Sequence, residues 1–206
     1  MLTPSPRFAL VCVCAVYGLT GFVVAQEALS PGRRLWEAGQ EAMRQGRPDD
    51  AIRYYEQSLA ADPLLSRNHL SLAAAYLDRG DEASACPHLA RYLEACPNHL
   101  IVRAQYAELL LRLHRPEDAR REFQRCAADG QRDADVQVRQ LIHCHSRLMQ
   151  IAEEAEEEYD MHLHRGIGLF LLARDAEQRG GEDGSPEGVL CKAAAELTLA
   201  RIERPD

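Results

Sequence analysis

The sequence predicts an all-α fold, a superhelix (solenoid) of stacked αα-hairpins with a capping helix at its C-terminal end. Three observations predict this fold class. Pro63 and Pro97 lie 34 residues apart, an interval typical of repeats built from two helices. Apolar residues before each proline recur three and four places apart, as they do on one face of a helix. Finally, only 6% of the residues are aromatic, whereas good helix formers such as Ala, Leu, Glu and Arg are abundant.

Residues 32–65, 66–99 and 100–133 form three successive repeats when they are aligned. Small residues recur where the two helices of a hairpin must touch, and one large residue follows at a fixed offset. In repeat order, the first small position holds Gly39, Ala73 and Ala107, the second holds Ala51, Ala85 and Ala119, and the large position holds Tyr55, Leu89 and Phe123. Gly46 and Gly80 fall at the turn between the helices, where glycine adopts a positive φ at little cost.

This pattern resembles the tetratricopeptide repeat family over about half of the chain. The third repeat departs from the family pattern, because His114 replaces the turn glycine and Gln131 replaces the terminal proline. The tryptophan of the first helix is also shifted by one position, to Trp36. Since a single hairpin cannot bury its own apolar stripe, the resemblance implies that the hairpins stack on one another.

Helical spacing continues after residue 133, although the strict period is lost. Two apolar stripes follow, the first made by Val138, Leu141, Leu148, Ile151, Ala152 and Ala155 and the second by Tyr159, Leu163, Ile167, Phe170, Leu171 and Ala173. The acidic run 153–160 between them is either a turn or the middle of one long helix, because glutamate is a good helix former. A longer fourth helix pair over residues 134–180 is favoured, since one continuous helix would leave its apolar stripe exposed.

The last part of the chain is predicted to contain a loop and one helix. Residues 181–188 are rich in glycine and include a proline, which indicates a surface loop. Residues 187–206 then form an amphipathic helix, beginning at about Pro186, with no partner helix in the sequence. Such a helix is expected to cap the last repeat. Gly166 and Gly168 are expected to mark close packing of the preceding helix against a neighbour.

The N-terminal segment, residues 1–25, is predicted to be a secretory signal peptide of the bacterial type. Arg7 precedes a weakly polar run over residues 8–25 that ends in the small residue Ala25, where cleavage is expected. The protein is therefore expected to be periplasmic or extracellular. The run is also just long enough to cross a bilayer, so an uncleaved membrane anchor is the alternative, and only then would the protein contact the membrane.

Composition and motifs favour a protein that is not an enzyme. The formal net charge of −8 disfavours nucleic acid as a partner, because binding phosphates requires a concentrated basic surface. The sequence contains no Gly-x-Ser-x-Gly, no phosphate-binding loop and no His-Glu-x-x-His. We therefore expect neither catalytic residues nor a cofactor.

The family resemblance implies a groove, lined by the first helix of each pair, that binds a protein or peptide. By family position, the groove residues are Arg33, Trp36, Gln40, Met43, Arg44, Arg67, Leu70, Leu77, Glu108, Leu111 and Arg112, with Ala74, Asp78, Ile101 and Ala104 on the same face. An exposed Trp36 beside Met43 and Leu70 would form an apolar strip suited to an extended or helical peptide. In the alternative interpretation, some of these side chains, particularly Leu70 and Leu77, pack inside the array. Some members of the family bind the C-terminal carboxylate of a chaperone in a basic pocket. Such a pocket is not expected here, because this sequence has no basic residue at the positions that form it.

A second hypothesis assigns a metal-binding or redox role to a cluster of histidines and a cysteine. The cluster comprises His143, Cys144, His145, His162 and His164. If the helices of the fourth pair fold back on each other, one histidine from each helix could come level, and imidazole with thiolate is a good zinc set. However, residues two apart on a helix point about 200° apart, so neither His-x-His can chelate as a pair. Structural histidines are therefore favoured and no metal is expected.

The cysteines after residue 25 are expected to be free thiols that serve as small apolar side chains. They are Cys86, Cys96, Cys126, Cys144 and Cys191. Cys86 and Cys96 lie about 15 Å apart on one predicted helix and cannot form a bridge. Cys126 occupies a buried small position, and a Cys126–Cys144 bridge between neighbouring helices is the alternative.

Overall fold

The computed structural model describes residues 30–130, 138–178 and 186–204. These segments contain nine α-helices and no strand, and all the helices lie in the unit Pro31–Asp206. The helices are α1 (Pro31–Arg44), α2 (Pro48–Ala61), α3 (Arg67–Asp78), α4 (Glu82–Ala95), α5 (Leu100–Arg112), α6 (Pro116–Gly130), α7 (Val138–Glu154), α8 (Glu158–Gln178) and α9 (Pro186–Glu203). The predicted signal segment, residue 131 and most of the predicted loop 181–188 lie outside the described residues.

Each helix packs mainly against the helix before it and the helix after it. Contacts run from α1 to α2, from α2 to α3, and onward in chain order to α8 and α9. This order of contacts is that of stacked hairpins, so the predicted all-α solenoid is confirmed. The fourth unit is a pair of helices, α7 and α8, because the chain turns at residues 155–157 within the acidic run.

The two helices of each hairpin meet where a small residue faces a large one. Ala73 and Ala107 are completely buried, as are Ala51, Ala85 and Ala119 on the second helices. Tyr55, Leu89 and Phe123 are also buried. In the first hairpin the helices leave no room for a Cβ, since one added at Gly39 would lie 2.4 Å from Cε1 of Tyr55. Only glycine therefore fits at residue 39 in this packing.

A residue in the left-handed region of φ closes each turn between the helices of a pair. Gly46 and Gly80 have φ of +67° and +80°. His114 and Glu156 occupy the corresponding turns of the third and fourth pairs with φ of +56° and +59°. The turn geometry is thus kept where glycine is absent, and these two residues carry the steric strain that L side chains meet at positive φ.

A buried ion pair joins the two helices of the third hairpin. Arg103 on α5 donates to Glu122 on α6 at 2.6 Å, and both side chains are almost inaccessible. A second guanidinium nitrogen of Arg103 donates to the carbonyl oxygen of Pro97 at 2.5 Å. The same arginine therefore ties α5 to both α6 and the loop that follows α4.

The last helix, α9, packs against α8 and leaves its outer face exposed. A Cβ added at Gly166 would lie 2.7 Å from Cγ of Leu197, which confirms close packing there. The same expectation is wrong for Gly168, because an added Cβ would only reach ordinary contact, 3.9 Å from Cβ of His145. Ile202 on the outer face is 66% exposed. Within the described segments, no helix is long and apolar enough to cross a bilayer.

The five described cysteines are free thiols. Cys126 and Cys144 are completely buried, and their side chains are hydrogen-bonded to each other between α6 and α7. The hydrogen bond to Cys126 and burial together raise the pKa of the Cys144 thiol. The expected packing role of Cys126 is therefore observed, and the alternative bridge is not formed.

The close approach at Gly39 gives a first prediction. Replacing Gly39 with Ala should lower the free energy of unfolding by about 2 kcal/mol, because the new methyl group overlaps the ring of Tyr55. Urea unfolding monitored by circular dichroism measures the change. In a double-mutant cycle, Tyr55→Leu should cost less in the Gly39→Ala background than in the wild type. Additive effects would show that the two residues do not meet as described.

The strained turn at His114 gives a second prediction. His114→Gly should raise the free energy of unfolding by about 1 kcal/mol, because glycine adopts the observed φ without steric strain. Gly80→Ala is the matched control and should lower stability by about 1 kcal/mol through the backbone alone, since an added Cβ there has nothing within 4 Å. Equal signs for the two substitutions in thermal and urea unfolding would contradict the turn geometry.

Candidate functional site

The predicted groove contains an apolar cleft between α1, α3 and α5. Its volume is about 760 Å³. The cleft is lined by Met43, Leu70, Ala74, Leu77, Asp78, Leu89, Gln105, Glu108 and Arg112. Leu77 is 36% exposed, whereas Leu70 is half-buried and packs against the main core. The structure therefore places Leu77 on open surface and makes Leu70 both a lining and a packing residue.

A second cleft continues the groove from α5 to α7. Its volume is about 530 Å³, and it shares Glu108 and Arg112 with the first cleft. Its other lining residues are Leu111, His114, Pro116, Arg147, Gln150, Ile151 and Glu154. The predicted residue Leu111 lies here. The α7 residues were missed by the sequence analysis because the period ends before them, although Arg147, Gln150 and Glu154 recur at helical spacing.

Charges line the second cleft and are largely paired. Arg147 makes two hydrogen bonds to Glu108, at 2.6 and 2.5 Å, and Nε2 of His143 lies 3.0 Å from the same carboxylate. Burial opposes the charge on Glu108, but Arg147 and His143 hold its pKa below the usual range. Arg112 donates to Glu82 at 2.6 Å. The groove is therefore apolar at α3 and strongly polar between α5 and α7.

Trp36 is not the exposed residue that the sequence predicts. Its side chain is half-buried against the core of the first hairpin, and its Nε1 donates to Ser71 Oγ at 2.9 Å. Gln40 donates to the same hydroxyl at 3.3 Å, and the guanidinium of Arg67 lies 5.3 Å from the indole centroid. Stacking of α3 on the first hairpin covers the ring, so Trp36 and Gln40 connect the two repeats.

Four further predicted groove positions lie outside both clefts. Arg33 and Arg44 are exposed on α1 and pair with Glu37 and Glu41 on the same helix. Ile101 is 56% exposed and lines neither cleft. The assignment of Ala104 to the groove surface is wrong, because this side chain is buried in the main core.

The structure separates the members of the predicted metal-binding cluster. His143 faces Glu108, Cys144 is buried against Cys126, and His162 lies 2.6 Å from a carboxylate oxygen of Glu196. In the described segments, no three His, Cys, Asp or Glu side chains are placed to hold one metal ion. The hypothesis of a zinc set drawn from this cluster is therefore wrong, since neighbouring positions on α7 and α8 point to different surroundings.

One pair from this cluster does come together, as the predicted hairpin allows. His145 on α7 and His164 on α8 have their Nδ1 atoms 3.2 Å apart. The pKa of His145 is lowered to about 4, mainly by burial and to a smaller extent by the charge of the His164 ring. The pKa of His164 is also lowered to about 4, mainly by burial and to a smaller extent by the charge of Arg120. Both imidazoles are therefore neutral near pH 7 and form a partly buried polar contact between the two helices.

A stack of helical hairpins, with a groove along the first helix of each pair, is the architecture of a repeat scaffold. Residues 37–99 match the model of the Tetratricopeptide repeat family. Residues 37–99 thus carry tetratricopeptide repeats, as expected from the sequence. This fold is typically a non-catalytic scaffold.

Known proteins with similarity to this chain share the repeat architecture. The TPR repeat-containing thioredoxin TTL4 of Arabidopsis thaliana is 28% identical over 183 residues, which is 88% of this chain and 25% of that protein. The chain therefore spans about a quarter of the relative's length.

Two solved structures resemble this chain in fold. The MamA protein matches 84% of this chain and 92% of its own, with 16% identity and a TM-score of 0.55. PcrH in complex with the chaperone binding region of PopD matches 60% of this chain and 92% of its own, with 18% identity and a TM-score of 0.51. These likenesses show the fold.

The buried pair His145 and His164 gives a prediction about pH. Their folded pKa values of about 4 lie below the ordinary value of 6.5, so the unfolded chain binds more protons between these limits. Stability should be full above about pH 6.5 and fall toward pH 4, by roughly 3 kcal/mol for each imidazole. Urea unfolding at a series of pH values measures this slope.

The matched variant for this measurement is the double substitution of His145 and His164 by Leu. It removes both titrating groups from the α7–α8 contact and should flatten the loss of stability between pH 6.5 and pH 4. A slope identical to that of the wild type would contradict the assignment of the acid sensitivity to this pair.

Proposed function

We propose that this protein is a non-catalytic scaffold that binds a protein or peptide segment in the groove formed by α1, α3, α5 and α7. The observation that carries the proposal is the apolar cleft beside Leu77, which leaves an aliphatic side chain accessible between two repeats. Accessible apolar clefts of this kind favour side-chain anchors of a bound peptide.

The groove offers a bound segment two different environments. Met43, Leu70 and Leu77 supply apolar contacts at α1 and α3, while Glu108 and Arg112 begin the polar part. A segment with an apolar anchor followed by polar residues would match this order, since charged groups fix orientation more than they add affinity. PcrH, which shares the fold, has been solved with the chaperone binding region of PopD, and this supports a peptide or protein as the partner here.

Export is the second part of the proposal. The apolar run over residues 8–25, with a small residue at its end, supports passage into the periplasm or out of the cell. In this setting the groove acts in the cell envelope. Retention by residues 8–25 as a membrane anchor is the alternative, and mass spectrometry of the N-terminus of the protein isolated from its native cell distinguishes the two.

Substitution of Leu77 tests the groove. Peptides selected by display against the purified protein should bind at least about tenfold more weakly to Leu77→Asp, because a carboxylate replaces an apolar contact in the cleft. Leu77 is better suited to this test than Trp36 or Leu70, since both of those also support packing between helices. Fluorescence anisotropy of the selected peptides measures the affinity.

Leu64→Asp is the matched control for Leu77→Asp. Leu64 is 93% exposed and lines neither cleft, so the same chemical change there should leave peptide affinity unaltered. Circular dichroism shows whether both variants remain folded. Equal affinity of the wild type and the two folded variants would exclude the groove as the binding site.

A further inference from the structure

The lining of the groove contains more acidic than basic side chains. Its charged residues are Asp78, Glu108, Arg112, Arg147 and Glu154. With histidines counted as neutral, three carboxylates therefore stand against two guanidinium groups. The surface that a bound segment would meet is thus negative, and a positively charged segment complements it.

Both guanidinium groups of the groove are already paired within the chain. Arg147 makes two hydrogen bonds to Glu108, at 2.6 and 2.5 Å, and one to Gln150 at 2.7 Å. Arg112 donates to Glu82 at 2.6 Å, which brings a fourth carboxylate against the lining. Neither arginine could bind an acidic group of a partner without giving up a contact that the chain makes itself.

Asp78 has no ion pair or hydrogen bond from its side chain to the residues that the structure describes. It is exposed, and it lines the same cleft as Leu77. The next residue, Arg79, does not neutralise it, because that guanidinium pairs with Asp49 at 3.2 Å and with Asp81 at 2.8 Å. A positive group bound in this cleft would therefore meet an available carboxylate together with the apolar contact of Leu77.

The ends of two helices add to the negative charge of the groove. Asp78 is the last residue of α3 and Glu154, which is also exposed, is the last residue of α7. The C-terminal end of a helix carries a partial negative charge, so basic side chains are favoured there. α1 and α5 follow this rule with Arg44 and Arg112, whereas α3 and α7 have no basic residue in the last turn. The ends of α3 and α7 therefore favour a cation supplied by a partner.

Charge and apolar contact have different effects on binding in this groove. Surface ion pairs alone contribute little affinity, whereas an aliphatic side chain placed against Leu77, Leu70 and Met43 is removed from water. Complementary charges instead select among segments, because a like charge at the same place is repelled. Both features must therefore occur close together in a segment that fits.

We propose that the groove binds basic linear segments, in which an aliphatic residue fills the cleft at Leu77 and an adjacent Lys or Arg pairs with Asp78. Further basic residues extend toward Glu154. This inference rests on the proposed groove function and names the class of its partner. Acidic segments are disfavoured, since they would face these carboxylates while Arg112 and Arg147 are already paired.

Phage display of random linear peptides against the purified chain tests the proposal. A parallel selection against Leu77→Asn, which removes the apolar contact without changing the charge, identifies peptides that bind elsewhere. The peptides that depend on Leu77 should be enriched in Lys and Arg next to an aliphatic residue. They should also contain less Asp and Glu than the unselected library.

Fluorescence anisotropy of synthetic copies of these peptides then measures the effect of each charge. Asp78→Asn should weaken their binding by about threefold or more. Replacing the basic residue of the peptide with glutamine should cost less affinity in the Asp78→Asn variant than in the wild type, because the two groups interact. Added salt should weaken binding to the wild type more than to Asp78→Asn.

Glu203→Gln is the matched control for Asp78→Asn. Glu203 is exposed on α9 and lines neither cleft, so its replacement removes one negative charge and should leave the affinity unchanged. Circular dichroism shows whether the variants are folded, and none of the printed side-chain contacts depends on the carboxylate of Asp78 or Glu203.

The outcomes separate this inference from the groove function on which it rests. Peptides that depend on Leu77 but are not enriched in Lys and Arg would overturn the basic class and leave the groove function standing. Unchanged affinity in Asp78→Asn, or an equal loss in Glu203→Gln, would do the same. If no selected peptide depends on Leu77, the groove function fails and the inference fails with it.

Discussion

The contact between a small and a large side chain inside each hairpin is the constraint on which the structure depends. The ring of Tyr55 occupies the space that a Cβ of Gly39 would need. Ala73 and Ala107 hold the corresponding places in the next two hairpins, where Leu89 and Phe123 are buried. Close approach of paired helices leaves each hairpin with an apolar stripe that only a neighbouring hairpin can cover, and the stack follows from this need.

The groove forms because the first and second helices of each pair make different contacts. The second helix of each pair presents its large residue to the core, while the first helices share one face with the next repeat and turn another to solvent. Leu77 and Arg112 lie on this remaining face. Trp36 lies near it but is held by Ser71 and Arg67, so the ring connects two repeats.

Two histidine pairs, His69 with His88 in the second hairpin and His145 with His164 in the fourth, show how one backbone arrangement recurs along the chain. Both hairpins bring two Nδ1 atoms to the same separation. Around His145 and His164, burial removes the imidazoles from water and keeps them neutral. Around His69 and His88, which are half-buried, burial also lowers the pKa of each imidazole. The surroundings of each pair, and not the spacing of its nitrogens, determine how far the pKa values of its imidazoles fall.

The sequence by itself determined the all-α class of the fold, the stacking of helical hairpins and the turns at Gly46 and Gly80. These features depend on local spacing and on interactions between neighbouring repeats, and both are periodic along the chain. Tertiary structure alone decided that Ala104 is buried, that Trp36 is covered and that Arg147 extends the groove. It also decided that His69 meets His88. Such outcomes depend on the rotation of each helix about its axis, which is set by packing against helices distant in sequence.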